Sequence, residues 1–274
     1  MTDQLTVTLN DGRIMPQLGL GVWRTPKDDA AAVVKTALEA GYRSVDTAAA
    51  YANERGVGEA LKAVSRDDVF VTTKLWNDNQ GYDATLAAFE KSRERLGVDA
   101  VDLYLIHWPA PKKGLYLESW KALVQLQKDG RALSIGVSNF LPEHLERIIG
   151  ETGVTPSVNQ IELHPSFQQR ALRAFHEKHG IHTESWSPLG QGQQLEDPVV
   201  GEIARKHGKT PAQVVIRWHL DSGLIVIPKS VTPSRIRENI AVFDFKLDAS
   251  DMDKLAGLDK AEGRIGPNPA TADF

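Results

Sequence analysis

The chain has 274 residues, 41% hydrophobic and 25% charged, with a formal net charge of −4 and no cysteine. That length suits a (β/α)8 barrel and supports a substantial core. The charge and the lack of a basic stripe with interleaved aromatics argue against a nucleic-acid binder, and the missing cysteines exclude disulfides, thiolate catalysis and Cys-ligated zinc. Met1-Thr-Asp-Gln-Leu-Thr6 lacks the basic and apolar regions of a signal peptide. No apolar run approaches the roughly 20 residues of a membrane span. We therefore expect a cytoplasmic protein with no membrane partner.

Leu5–Leu9, the turn signal Asn10-Asp11-Gly12 and Ile14-Met15-Pro16 predict a small N-terminal β-hairpin. Strand and helix patterns then alternate. Ala30, Val33, Val34, Ala37 and Leu38 form a helical stripe stopped by Gly41. A strand ending at Asp46 precedes a helix expected near Gly58–Val64, and a strand ending at Lys74 precedes a helix over Thr85–Leu96. The strand running into His107 precedes a helix over Leu117–Lys128, and Leu133–Val137 precedes one over Pro142–Ile149. Ser157–Ile161, His182–Trp186 and Leu224–Ile227 read as the sixth to eighth strands. A flexible connection, Pro188–Leu195, and two helices, Pro198–His207 and Pro211–Asp221, interrupt the regular unit before the last strand. Ile236, Ile240 and Phe243 give the eighth helix one apolar face. The expected fold is a single-domain α/β chain, a (β/α)8 TIM barrel with an N-terminal β-hairpin and two extra helices. The tail Gly263–Phe274 has no periodicity and reads as a lid, a binding loop or a frayed end.

Five apolar runs end in chemically capable residues: Ser44-Val45 in Asp46, Val69–Thr73 in Lys74, Val101–Ile106 in His107, Ser134–Val137 in Ser138 and Asn139, and Val158-Asn159 in Gln160. In a barrel such exits converge on the C-terminal face, where active sites form. Singly, each has a plainer reading: Asp46 as a helix cap, Lys74 as a solvated charge, His107 as a satisfied structural histidine. His176, His179 and His182 lack a carboxylate at zinc-ligand spacing and read as solvated, so no metal is expected.

Asp46-Thr-Ala-Ala-Ala-Tyr51, Thr72-Thr-Lys-Leu-Trp76 and Leu105-Ile-His-Trp-Pro109 together resemble the Asp/Tyr/Lys/His tetrad of the aldo-keto reductases. The likeness continues through Gly136-Val-Ser-Asn-Phe140, Asn159-Gln-Ile-Glu-Leu-His-Pro165 and Ile227-Pro-Lys-Ser-Val231, nearly the whole chain. Lys74-Leu-Trp-Asn77, Glu184–Gly192 and Val242-Phe-Asp-Phe245 most resemble the bacterial 2,5-diketo-gluconate reductases within that family. The resemblance implies carbonyl reduction with NADPH and without metal. The residues suit that chemistry. A free tyrosine, with a pKa of about 10, is a poor acid at neutral pH. An ammonium about 4 Å away, at an effective dielectric of about 20, favours tyrosinate by roughly 4 kcal/mol. That is about three pKa units before desolvation opposes it. Lys74 takes this part for Tyr51, the expected proton donor, with Asp46 holding Lys74 and His107 hydrogen-bonding the carbonyl or relaying a proton.

The resemblance also implies a cofactor bed. Ser138, Asn139 and Gln160 match residues that bind the nicotinamide carboxamide, and Trp186 matches the aromatic stacked on its ring. Ser187, Pro188 and Leu189 resemble the loop along the pyrophosphate. Lys229, Ser230, Val231, Thr232, Arg235, Glu238 and Asn239 resemble the adenosine end, where lysine and arginine neutralise a 2′-phosphate and favour NADPH over NADH. Trp23, Trp76 and Trp108, with His107, match positions lining the substrate pocket, wide enough for keto sugars, keto acids, methylglyoxal or other small carbonyls. A Rossmann fold does not fit, because Gly19-Leu-Gly21 is followed by Arg24 where a third glycine belongs. Two alternatives are a Schiff-base aldolase using Lys74 and a cofactor-sensing binding module on the same scaffold. A monomer acting on a small carbonyl is expected.

Overall fold

The structure, a computed structural model, describes residues 4–272 and 274. It opens with the antiparallel hairpin of β1 (Thr6–Thr8) and β2 (Ile14–Pro16). Eight parallel strands follow: β3 (Leu20–Gly21), β4 (Ser44–Asp46), β5 (Phe70–Leu75), β6 (Val101–Ile106), β7 (Ala132–Ser138), β8 (Val158–Glu162), β9 (His182–Trp186) and β10 (Ile225–Val226). Each pairs with the next in sequence, the register expected of right-handed βαβ crossovers. β10 returns to β3 through isolated parallel bridges, Leu18 to Val226 and Gly21 to Lys229, so the wall curls on itself as a (β/α)8 barrel. The glycines at this seam permit the approach: a Cβ on Gly21 would lie 2.8 Å from Ile227 O. This is the structural role of the Gly19-Leu-Gly21 pair.

The helices are α1 (Ala30–Ala40), α2 (Glu54–Leu61), α3 (Tyr82–Leu96), α4 (Tyr116–Lys128), α5 (Pro142–Thr152), α6 (Arg170–His179), α7 (Pro198–His207), α8 (Pro211–Asp221), α9 (Pro233–Ile240) and α10 (Ala249–Ala256). α1 buries the five residues of its predicted stripe and ends at Gly41, whose φ of 107° places it in the left-handed region. α7 and α8 keep their predicted bounds, α8 starting from a box in which Thr210 and Gln213 each bond the other's backbone N–H.

Three expectations need correction. α2 starts four residues before its predicted position, because its first turn carries Glu54, a buried acid paired with Arg95 and Thr73 rather than an apolar residue. α9 stops at Ile240, so Phe243 lies beyond it and is only half buried. His176 is not solvated. It lies on the buried face of α6, accepting from Asn159 Nδ2 (2.9 Å) and reaching Thr183 Oγ1 (2.8 Å).

The main apolar core fills the space between strands and helices. A second cluster inside the barrel joins Leu9 and Met15 of the hairpin region to Phe70, Leu103, Leu105, Val158 and Ile225. The hairpin therefore plugs the N-terminal end of the strands and leaves the C-terminal end for ligands. Among the described residues, no helix is long and apolar enough to cross a membrane.

Candidate active site

At the open end of the barrel, Lys74 of β5 is fully buried, and its three ammonium hydrogens have three acceptors. Nζ donates to Asp46 Oδ1 (2.6 Å), to Thr47 O (2.9 Å) and, at 3.5 Å, to the Tyr51 hydroxyl. Tyr51 sits in a 3-10 turn, Ala49–Tyr51, after β4. That turn is pinned by buried Asn53, which accepts from Thr47 Oγ1 and donates to Val22 O and Thr25 O. His107, just after β6, presents its ring at right angles to Tyr51 and Trp76, with centroids 5.6 and 5.3 Å away.

Burial is the largest single influence on Lys74 and opposes its charge, yet Asp46, Tyr51 and Glu184 together hold its pKa above the ordinary lysine value. A lysine so paired is not a Schiff-base nucleophile. For Tyr51 the balance runs against the sequence expectation: burial pushes the phenol up, Asp46 adds to it, and the lowering by Lys74 does not compensate. Tyr51 is thus held in its protonated form. Burial and the Lys74 charge drive His107 well below the usual histidine range, so its ring is neutral.

These groups open into a cavity of about 780 Å³, within the usual size of a small-molecule site, which Trp23, Trp76 and Trp108 also line. Its other wall holds the next strand ends. Asn139 donates from Nδ2 to His107 O and Ser138 Oγ (both 3.0 Å) and accepts at Oδ1 from Trp186 Nε1 (2.8 Å). Ser138 donates to Gln160 O (2.7 Å). Asn139 and Ser187 adopt left-handed backbone, φ 64° and 49°, conformations that cluster at functional sites. A second cleft, of about 510 Å³, continues from Trp23, Ser187, Pro188 and Lys229 to Leu189, Ser230, Val231, Thr232, Arg235, Glu238 and Asn239. Every sequence-selected site residue lines this double cleft except Lys74, which is fully buried behind Asp46 and Tyr51. Among the described residues, no group of three or more His, Cys, Asp or Glu is placed to hold a metal ion.

The comparisons with known proteins give the family. Residues 15–260 match the Aldo/keto reductase family. An aldo-keto reductase of Mycolicibacterium smegmatis is 57% identical over 270 residues, 98% of either chain. Methylglyoxal reductase DkgA of Salmonella typhimurium is 55% identical over 273 residues, again 98% of each. The solved structure of Gox0644 is 61% identical with a TM-score of 0.97, covering 99% of both chains. A Gox0644 mutant was also crystallised in complex with NADPH. The chain belongs to the aldo/keto reductase family.

In this aldo/keto reductase the tail is not frayed but lines the cavity, as the lid or binding-loop reading of its aperiodic sequence expected. Glu162 accepts from Ile265 N (2.6 Å) and Gly266 N (2.9 Å), and these bonds together with His164 hold its carboxyl below the usual range despite burial. Gly266 rests on Trp186: a Cβ there would lie 2.4 Å from Trp186 Cη2. Phe274 stacks on Trp76 and meets Trp108 edge-on, with centroids 5.8 and 5.2 Å away, and its carbonyl accepts from Asn77 Nδ2. Arg24, not singled out from the sequence, lines the same cavity with its guanidinium 4.2 Å from the Trp23 ring centre.

Proposed function

We propose that this protein reduces the carbonyl group of small aldehydes and ketones to alcohols with NADPH, and that Tyr51 is the proton donor. The observation that carries this reading is Lys74 joining Asp46 to Tyr51 at the wall of a cavity that His107 shares. When bound, NADPH supplies the hydride. The chain's own residues manage the developing charge on the carbonyl oxygen. His107, neutral, contributes a hydrogen bond rather than a proton. A phenol is by nature a stronger acid than an alcohol, and the Tyr51 proton moves to the oxygen of the alcohol being formed. The Lys74 ammonium then faces the phenolate left behind, an electrostatic gain made where charge develops.

The double cleft fits the cofactor. Trp186 with the Ser138, Asn139 and Gln160 cluster suits a carboxamide-bearing ring, and Ser187–Leu189 line the passage between the chambers. Both Asn139 Nδ2 hydrogens are taken internally, so the bond to Ser138 Oγ is the one we expect to exchange for the carboxamide oxygen. Lys229 and Arg235 border the far chamber, where they suit a 2′-phosphate. Three tryptophans, Phe274 and Arg24 suit methylglyoxal, keto sugars and keto acids such as 2,5-diketo-gluconate. The double cleft is complete within one chain, so a monomer suffices for the reaction we propose.

The test is loss of NADPH absorbance over a carbonyl panel, with NADH as comparator. Wild type should prefer NADPH. Tyr51→Phe should lose about 10²–10⁴-fold in kcat, the usual worth of a positioned proton donor, while still binding NADPH. Full activity in that variant would sink the mechanism, and equal use of NADH would sink the 2′-phosphate role.

A further inference from the structure

Directly below the cofactor wall, Glu184 of β9 is fully buried in the barrel, in register with Gln160 of β8 and Ile225 of β10. A carboxyl group there is a net cost to folding unless it is hydrogen-bonded, and its Oε1 has no partner. Its Oε2 accepts from Gln160 Nε2 (2.8 Å), and the same nitrogen donates to Asp46 Oδ2 (2.9 Å). An amide nitrogen has two hydrogens, so both are committed. Gln160 therefore faces the cavity it lines with its oxygen, an acceptor only.

We propose that Glu184 is a positioning residue, which through Gln160 fixes one amide against the Asp46–Lys74–Tyr51 chain below and against the cofactor above. The inference rests on the NADPH-dependent reading given above. Removing the Glu184 acceptor leaves one Gln160 hydrogen unpaired and frees the amide to turn, with the cost falling on cofactor affinity before packing. Glu184 has a second, electrostatic effect. The ionisable groups whose charges reach it are Asp46, Lys74 and Tyr51, while His107 on the same cavity is neutral. Burial, then the Asp46 charge, pushes the Glu184 carboxyl up to about 8. Above that pH its negative charge opposes formation of tyrosinate and keeps Tyr51 a proton donor.

The experiment compares wild type with Glu184→Gln, which keeps an acceptor, and Glu184→Met, which fills the same volume without one. NADPH affinity, KM, kcat against pH and thermal stability are read on all three. Glu184→Met should bind NADPH about tenfold more weakly, the worth of one lost hydrogen bond, without losing thermal stability. Glu184→Gln should recover most of that affinity. Its reductase activity should nonetheless fall off at lower pH than in wild type, because no charge develops beside Tyr51. If the two variants bind NADPH alike and keep the wild-type alkaline limb, the inference is overturned while wild-type turnover leaves the functional reading standing. If wild type neither binds NADPH nor reduces any carbonyl, both fall.

Discussion

The two chambers of the cleft are built on opposite principles. Around Lys74 the charges are buried, and Lys74 and Asp46 are hydrogen-bonded in a chain that ties together β4, β5 and β8. At the far chamber Lys229 and Arg235 stand exposed, and among the described residues neither has an ion-pair partner. A desolvated group has its proton affinity set by the fold, as chemistry requires. A solvated cation waiting for an anion costs little to display and can be matched on binding. Mutations should therefore behave differently at the two ends.

Lys74→Met should have the largest effect. It strips a buried carboxylate of its counter-ion, which costs roughly 3–5 kcal/mol of stability, and should reduce kcat together with the melting temperature. Retention of either would break the contrast. Next comes pH. Burial holds His176 at about 3 and His219 at about 4, so both are neutral in the fold. The unfolded chain takes up protons below about 6.5, and stability should fall as pH drops through that value. Glu184 acts with the opposite sign: raised from 4.5 to about 8, it keeps its proton while the unfolded chain loses one. Stability should decline by an order of a few kcal/mol as pH rises across that window. Urea melts on Glu184→Gln should lack that decline, and a parallel decline would contradict the raised carboxyl.

The double change Lys229→Met with Arg235→Met should raise KM for NADPH by about 10–100-fold, in keeping with charge-assisted bonds, with stability within about 0.5 kcal/mol of wild type. KM for NADH should hardly move. Smallest is Phe274→Ala, for which we expect a few-fold change in KM for bulky carbonyls and none in NADPH affinity, from loss of an aromatic contact worth about 1 kcal/mol. An unchanged substrate profile would remove the tail from the pocket's working surface.

What was legible in the chain follows the same division. Asp46, Lys74, His107 and Asn139 lie at or just past the C-terminal ends of apolar strands, so the pattern of the sequence itself points to them, whereas Gln160, read in the same way, lies in the middle of β8. Glu184 was invisible in that way. It lies inside β9, where His182, Thr183 and Ser185 are polar as well, and such a run says nothing about which carboxylate it meets across the barrel. His176 could have been found, since it lies four residues from buried Leu172 and so on the same helical face. α10 also left a signal, the Asp248 and Asp251 box that caps its first turn. Phe274 had none: its place depends on backbone bonds from Ile265 and Gly266 to Glu162, and contacts so distant along the chain leave no local pattern.

The tail also sets a direction on the molecule. The hairpin plugs one mouth of the barrel, and Phe274 lies in the other, between Trp76 and Trp108. Any sequence joined after Phe274 has to leave through the cleft itself, so an affinity tag fused there would share space with the ligand. One fused before Thr6 would emerge at the far side.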